Sequence, residues 1–117
     1  MVISFTGHRD KTIKEELFIA IKNQYPGAEW VHGGAIGFDS QVEQFAKAYN
    51  ISTTTIKPDY KKNGKAAPLI RNREIVDLAD LLIACYDGRK KGGTFYTLNY
   101  AKSKNVKTHI VPPVNLN

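Results

Sequence analysis

Three short stretches of the chain carry residues suited to holding an anion. Thr6-Gly7-His8-Arg9 follows one apolar run, Gly33-Gly34-Ala35-Ile36-Gly37-Phe38-Asp39 follows a second, and Asp87-Gly88 leads through Arg89-Lys90-Lys91 to Gly92-Gly93-Thr94. A glycine loop entering a helix presents free backbone N–H groups and the positive end of the helix dipole, while its missing side chains let a phosphate approach. Gly33, Gly34 and Gly37, with Ala35 and Asp39 in the same loop, have that composition, and Gly92-Gly93-Thr94 repeats it with the Thr94 hydroxyl as a further donor. Glycine also serves plain turns. Neither stretch ends in the Gly-Lys-Ser/Thr of a P-loop, and the first lacks full Gly-x-Gly-x-x-Gly spacing, so the signal is the pair of loops rather than either alone.

Several side chains extend this reading. Arg71-Asn72-Arg73 opens a helical segment, and a guanidinium there can grip a phosphate or carboxylate bidentately. The alternative is a solvated face on which the arginines pair with Glu74 and Asp77. Adjacent helical residues point to different sides, so at most one of these arginines faces the ligand, and Arg71, nearer the preceding loop, is the choice. His8 and Arg9 leave their strand directly into the same region, where a ring can stack on a base or donate to a phosphate. His32 and His109 read as structural. No His or Cys pair has metal-ligand spacing and no serine or cysteine is paired with a base, so neither a metal nor another cofactor is expected.

The elements that must position these residues alternate between short apolar runs and amphipathic segments, the pattern of a parallel sheet covered by helices. Strands are expected at Val2 to Thr6, Glu29 to His32, Ile51 to Ile56, Leu81 to Tyr86 and Val106 to Val111. Helices are expected from Lys11 to Gln24, where Thr12 and Glu15 have capping-box spacing, from Asp39 or Ser40 through Tyr49, from Leu69 to Ala79, and from Thr94 to Lys104. Lys57 to Pro68 reads as a polar, lysine-rich loop. With right-handed crossovers the five strands take the order 3-2-1-4-5, an α/β Rossmann-like open sheet with helices on both faces. In such a sheet the loops at the carboxyl ends of the strands line one crevice, and all three anion-suited stretches fall there.

At 117 residues, 42% hydrophobic and 24% charged, the chain has room for a single domain over 1–117. Cys85 has no partner for a disulfide and sits in an apolar run, which suits a buried thiol and a cytoplasmic setting, and no apolar run is long enough to span a bilayer. The net charge of +6 is compatible with an anionic partner.

Taken in order, these residues, together with Gly64-Lys65-Ala66-Ala67-Pro68-Leu69-Ile70-Arg71-Asn72-Arg73-Glu74 and Ala79-Asp80, resemble the SLOG superfamily of DprA/Smf and LOG-like Rossmannoid proteins, in its YspA/YpsA-like branch. The resemblance covers nearly the whole chain. It implies glycine loops that hold the phosphate or ribose of a nucleotide-like ligand, with Lys65, Asn72 and Asp87 among the contacts. LOG enzymes carry Pro-Gly-Gly-x-Gly-Thr-x-x-Glu; here Thr94 aligns with its threonine and Thr97 stands where the glutamate would be, leaving Glu74 and Asp87 as the candidate catalytic carboxylates. The leading expectation is a protein that senses or sequesters a nucleotide-derived phosphate compound, such as an ADP-ribose-like signal. A LOG-like phosphoribohydrolase and DprA-like single-stranded DNA binding are the alternatives. Phe95, Tyr96 and Tyr100 give the last helix apolar surface suited to homo-oligomer formation.

Overall fold

The computed structural model describes residues 1–115. Thirteen elements follow in chain order: β1 (Val2–Gly7), β2 (Lys11–Thr12), α1 (Glu15–Gln24), β3 (Glu29–His32), α2 (Phe38–Ala48), β4 (Thr53–Thr55), α3 (Tyr60–Asn63), a 3-10 turn (Gly64–Ala66), α4 (Ala67–Leu78), β5 (Leu81–Cys85), α5 (Gly93–Ser103), β6 (Thr108–Val111) and β7 (Val114–Asn115). Five of the strands form one parallel sheet in the order β4-β3-β1-β5-β6. This is the expected order, with β1 central and the reversal of strand order between β1 and β5.

Side-chain alternation along the central strands explains why helices cover both faces. Ile3 and Phe5 of β1 and Leu81, Ile83 and Cys85 of β5 point to one face, where they meet Phe18 and Ile21 of α1 and Phe38, Val42 and Phe45 of α2. Phe5 stands 4.7 Å from the Trp30 ring, and Phe18 stacks on Phe38 and Phe45, so aromatic packing fills the centre of this larger core. The opposite face is thinner, with Leu82 of β5 meeting Val76 of α4 and Ala101 of α5. Ser4, buried on that face, donates to the Ile75 carbonyl at 2.7 Å, which satisfies a hydroxyl in an apolar strand. Cys85 is buried, and desolvation pushes its thiol up to about 12. Among the described residues no helix is long and apolar enough to cross a membrane.

Two local expectations are corrected. The first helix does not begin at Lys11 and no Thr12–Glu15 capping box forms: Lys11 and Thr12 make a short antiparallel pair with Val114 and Asn115. The Gln41 side chain holds this segment extended by accepting from the Ile13 N–H at 2.8 Å and donating to its carbonyl at 2.6 Å. The lysine-rich stretch from Lys57 to Pro68 is largely helical rather than a loop. Asp59 caps α3 by accepting from the Lys62 N–H at 3.1 Å, and Pro68 stands in the first turn of α4, where its missing N–H has no helical partner to lose.

Candidate functional site

A cleft of about 400 Å³ opens at the carboxyl ends of β1, β3 and β5. Thr6, Gly7, His8 and Arg9 reach it from β1, Ala35 and Asp39 from the loop and first turn after β3, Arg71 and Asn72 from α4, and Gly92, Gly93 and Thr94 from the start of α5. The three anion-suited stretches thus share one rim. Asp10, Pro68, Arg89 and Lys91 also line the cleft and were missed from sequence, although Arg89 and Lys91 form a basic run directly before Gly92. Gly33, Gly34, Gly37, Lys65, Glu74 and Asp87 do not line it. Lys65 and Glu74 are exposed, on the 3-10 turn and on α4.

The two glycine loops do different work. In the first, the amides of Gly33, Gly34 and Ala35 are already used. The Asp39 Oδ2 accepts from the N–H groups of Gly33 and Ala35, each at 3.2 Å, and the His32 Nδ1 accepts from Gly34 at 3.0 Å. Because Nδ1 accepts, the His32 proton is on Nε2, which donates to Glu43 at 2.6 Å and holds that carboxyl below its usual range. The loop's free carbonyl is the useful group: the Gly33 oxygen accepts from the Arg71 Nη1, while the Arg71 Nε donates to the Asn72 Oδ1 at 2.8 Å. A Cβ on Gly33 would lie 2.7 Å from the Arg71 Nη1, so the missing side chain makes a seat for a guanidinium. The first loop therefore positions a cation where sequence suggested bare amides.

The second loop is open. Gly92 stands before α5 at φ 91°, no side chain caps the helix, and the first helical backbone bond runs from the Tyr96 N–H to the Gly92 carbonyl at 3.1 Å. The N–H groups of Gly93, Thr94 and Phe95 have no carbonyl within the helix to reach. Thr97 is buried and its hydroxyl donates to the Gly93 carbonyl at 2.8 Å, tying the first turn together. Arg71, Arg89 and Lys91 line the same cleft as this amide cluster, so positive groups from α4, the preceding loop and the helix end meet there.

A latch closes one side. Asp87 accepts from the Arg89 Nε at 3.0 and 3.1 Å and from its Nη2 at 2.6 Å, and Arg89 also reaches Asp10 at 3.4 Å. The Arg89 guanidinium holds the Asp87 carboxyl far below the usual carboxylate range. The His8 Nε2 lies 3.2 Å from the Asp87 N–H and 3.1 Å from its Oδ1, and one nitrogen cannot accept from the first while donating to the second. Burial, then the Arg89 charge, lowers His8 from 6.5 against the pull of Asp87, which favours a neutral ring accepting the Asp87 N–H. A group whose folded value is lowered this way lends stability that is full above 6.5 and is lost as pH falls through the lowered value. As pH falls from 6.5 to about 5, above the range where carboxylates protonate, the urea midpoint of the wild type is expected to drop more than that of His8→Gln; equal drops in both would contradict the latch.

Tyr96 and Tyr100, expected at a subunit contact, make hydrogen bonds within the chain. The Tyr96 hydroxyl accepts from the Arg73 Nε at 2.7 Å, and the Tyr100 hydroxyl donates to Asp77 at 2.8 Å. Among the described residues no three His, Cys, Asp or Glu side chains gather to hold a metal ion. No protein-family model matches the chain, and no curated protein matches its sequence.

Proposed function

We propose that the chain binds a nucleotide-derived small molecule through its phosphate, with Arg71 and the first-turn amides of α5 as the phosphate seat. The observation that carries this reading is the seating of Arg71: Gly33 and Asn72 fix Nη1 and Nε, and no hydrogen bond among the described residues uses Nη2. A guanidinium already ordered at a cleft wall loses little freedom on gripping an anion. The resemblance to the SLOG superfamily supports a nucleotide as the carrier of that phosphate, and an ADP-ribose-like signal falls within that class. Binding is favoured over phosphoribohydrolase activity because neither Glu74 nor Asp87 lines the cleft, and Asp87 is committed to Arg89.

Isothermal titration with AMP, ADP-ribose and adenosine tests the reading. AMP and ADP-ribose are expected to bind saturably and adenosine to bind far more weakly, with no free adenine released during prolonged incubation. Equal binding of adenosine, or no binding by either phosphate compound, would overturn it.

A further inference from the structure

Among the described residues, the Asp39 Oδ1 is the buried side-chain oxygen without a hydrogen-bond partner. The residue is 6% exposed, both hydrogen bonds its carboxylate accepts go to Oδ2, and it stands in the wall between the cleft and a smaller hollow beside His32 and Glu43. A buried acceptor left unpaired is costly, and an ionised one more so. Burial raises the Asp39 carboxyl above its usual range, against the opposing pull of the loop amides, His32 and Arg71. This oxygen therefore lacks a donor that the chain does not supply.

The chemistry of that donor is constrained by its surroundings. Arg9, Arg71, Arg89 and Lys91 line the cleft, so a cationic donor would meet like charge, and a neutral O–H or N–H is favoured. Asp39 and Arg71 hold opposite ends of one residue: Asp39 takes the Gly33 N–H and Arg71 the Gly33 carbonyl. A donor reaching Asp39 thus lies close to a phosphate gripped by Arg71. In a nucleoside 5′-monophosphate the sugar hydroxyls are nearer the phosphate than any exocyclic amine of the base.

We infer that Asp39 is a specificity determinant whose free carboxylate oxygen accepts a hydrogen bond from a ribose hydroxyl, so that the cleft selects ribonucleotides over their deoxy counterparts. The inference rests on the phosphate seat proposed above and adds the sugar to it. A site built to pair with a hydroxyl rejects the analogue lacking it, because its own polar group is then stranded.

The test is the affinity of the wild-type protein for AMP, 2′-deoxy-AMP, 3′-deoxy-AMP and IMP. At least one deoxy form is expected to bind about tenfold or more weakly than AMP, and IMP, which lacks the amine, to bind like AMP. In Asp39→Asn the deoxy penalty is expected to shrink to about twofold, with AMP still bound. If both deoxy forms bind like AMP, or only IMP is rejected, the sugar assignment fails while the phosphate seat stands; if no compound binds, both fail. The wild-type comparison decides whether or not Asp39→Asn folds, and discrimination surviving in a folded Asp39→Asn would overturn the role of this residue.

Discussion

Arg71→Ala is expected to weaken AMP binding by roughly 10- to 100-fold, since a charge-assisted hydrogen bond contributes about 1.5–3 kcal/mol and each ~1.4 kcal/mol is tenfold. The loss has two parts. The direct part is the grip of the guanidinium on the phosphate. The indirect part is that the Gly33 carbonyl loses its donor and the Asn72 Oδ1 loses the Arg71 Nε. Arg71→Lys separates them, because an ammonium keeps the charge but cannot hold two partners in a plane while presenting a third edge to the ligand. Arg71→Lys is therefore expected to recover only part of the affinity. Titration calorimetry reads both variants, and thermal unfolding checks that neither has lost the fold. Affinity unchanged in Arg71→Ala would remove the phosphate seat.

Gly37→Ala is expected to be the most damaging single-methyl change near the cleft. The residue has φ +76°, and a Cβ there would sit 2.2 Å from the Arg9 carbonyl oxygen and 2.9 Å from that of His8. Both obstacles are backbone, so no side chain can swing aside. The strained dihedral costs of the order of 1–3 kcal/mol, and relieving the clash moves the His8–Arg9 turn away from the β3–α2 loop. A total loss of about 3 kcal/mol or more is expected, a large share of the ~5–15 kcal/mol that holds a domain of this size folded. Gly27→Ala is the matched control: its φ is +77°, but nothing lies within 4 Å of the added methyl. Urea denaturation of the two variants isolates the steric part. Equal losses would mean that close approach at Gly37 contributes nothing.

How much of this was legible in the sequence depends on how local each feature is. The parallel sheet and its order follow from apolar runs separated by amphipathic segments, and β5 is buried along its whole length as its Leu-Leu-Ile-Ala-Cys composition suggests. The convergence of the three anion-suited stretches follows in turn, because loops after parallel strands open on one edge. The antiparallel pairing of β2 with β7 was not legible, since it joins Lys11 to Asn115 and each strand has two residues. Nor was the clamp of Gln41 on Ile13, which holds extended a segment whose composition alone reads as helix.

The division of labour between the two glycine loops was hidden for a related reason. Both have the composition of an anion cradle, but Asp39 lies close enough after Gly33 to fold back and occupy the amides itself. Its carboxylate is an internal anion for the first loop. No acidic residue follows Gly92-Gly93 within α5, and that helix start stays open. The filling of the Gly33 and Ala35 amides was thus encoded in one carboxylate that the sequence placed only at the start of the following helix. Asp10, Arg89 and Lys91 enter the cleft through turns whose directions sequence does not specify.

The start of α5 and Arg71 are expected to receive the ligand's phosphate, because the amides of Gly33, Gly34 and Ala35 are already hydrogen-bonded. Titrating AMP into ¹⁵N-labelled protein and following the amide resonances tests it most directly. The largest shifts are expected at Gly93, Thr94 and Phe95 and at the Arg71 side chain, with the amides of Gly33 and Ala35 moving less. Largest shifts at Gly33 to Ala35, or at the unrelated groove between Tyr25 and Tyr49 at the opposite ends of the strands, would contradict it.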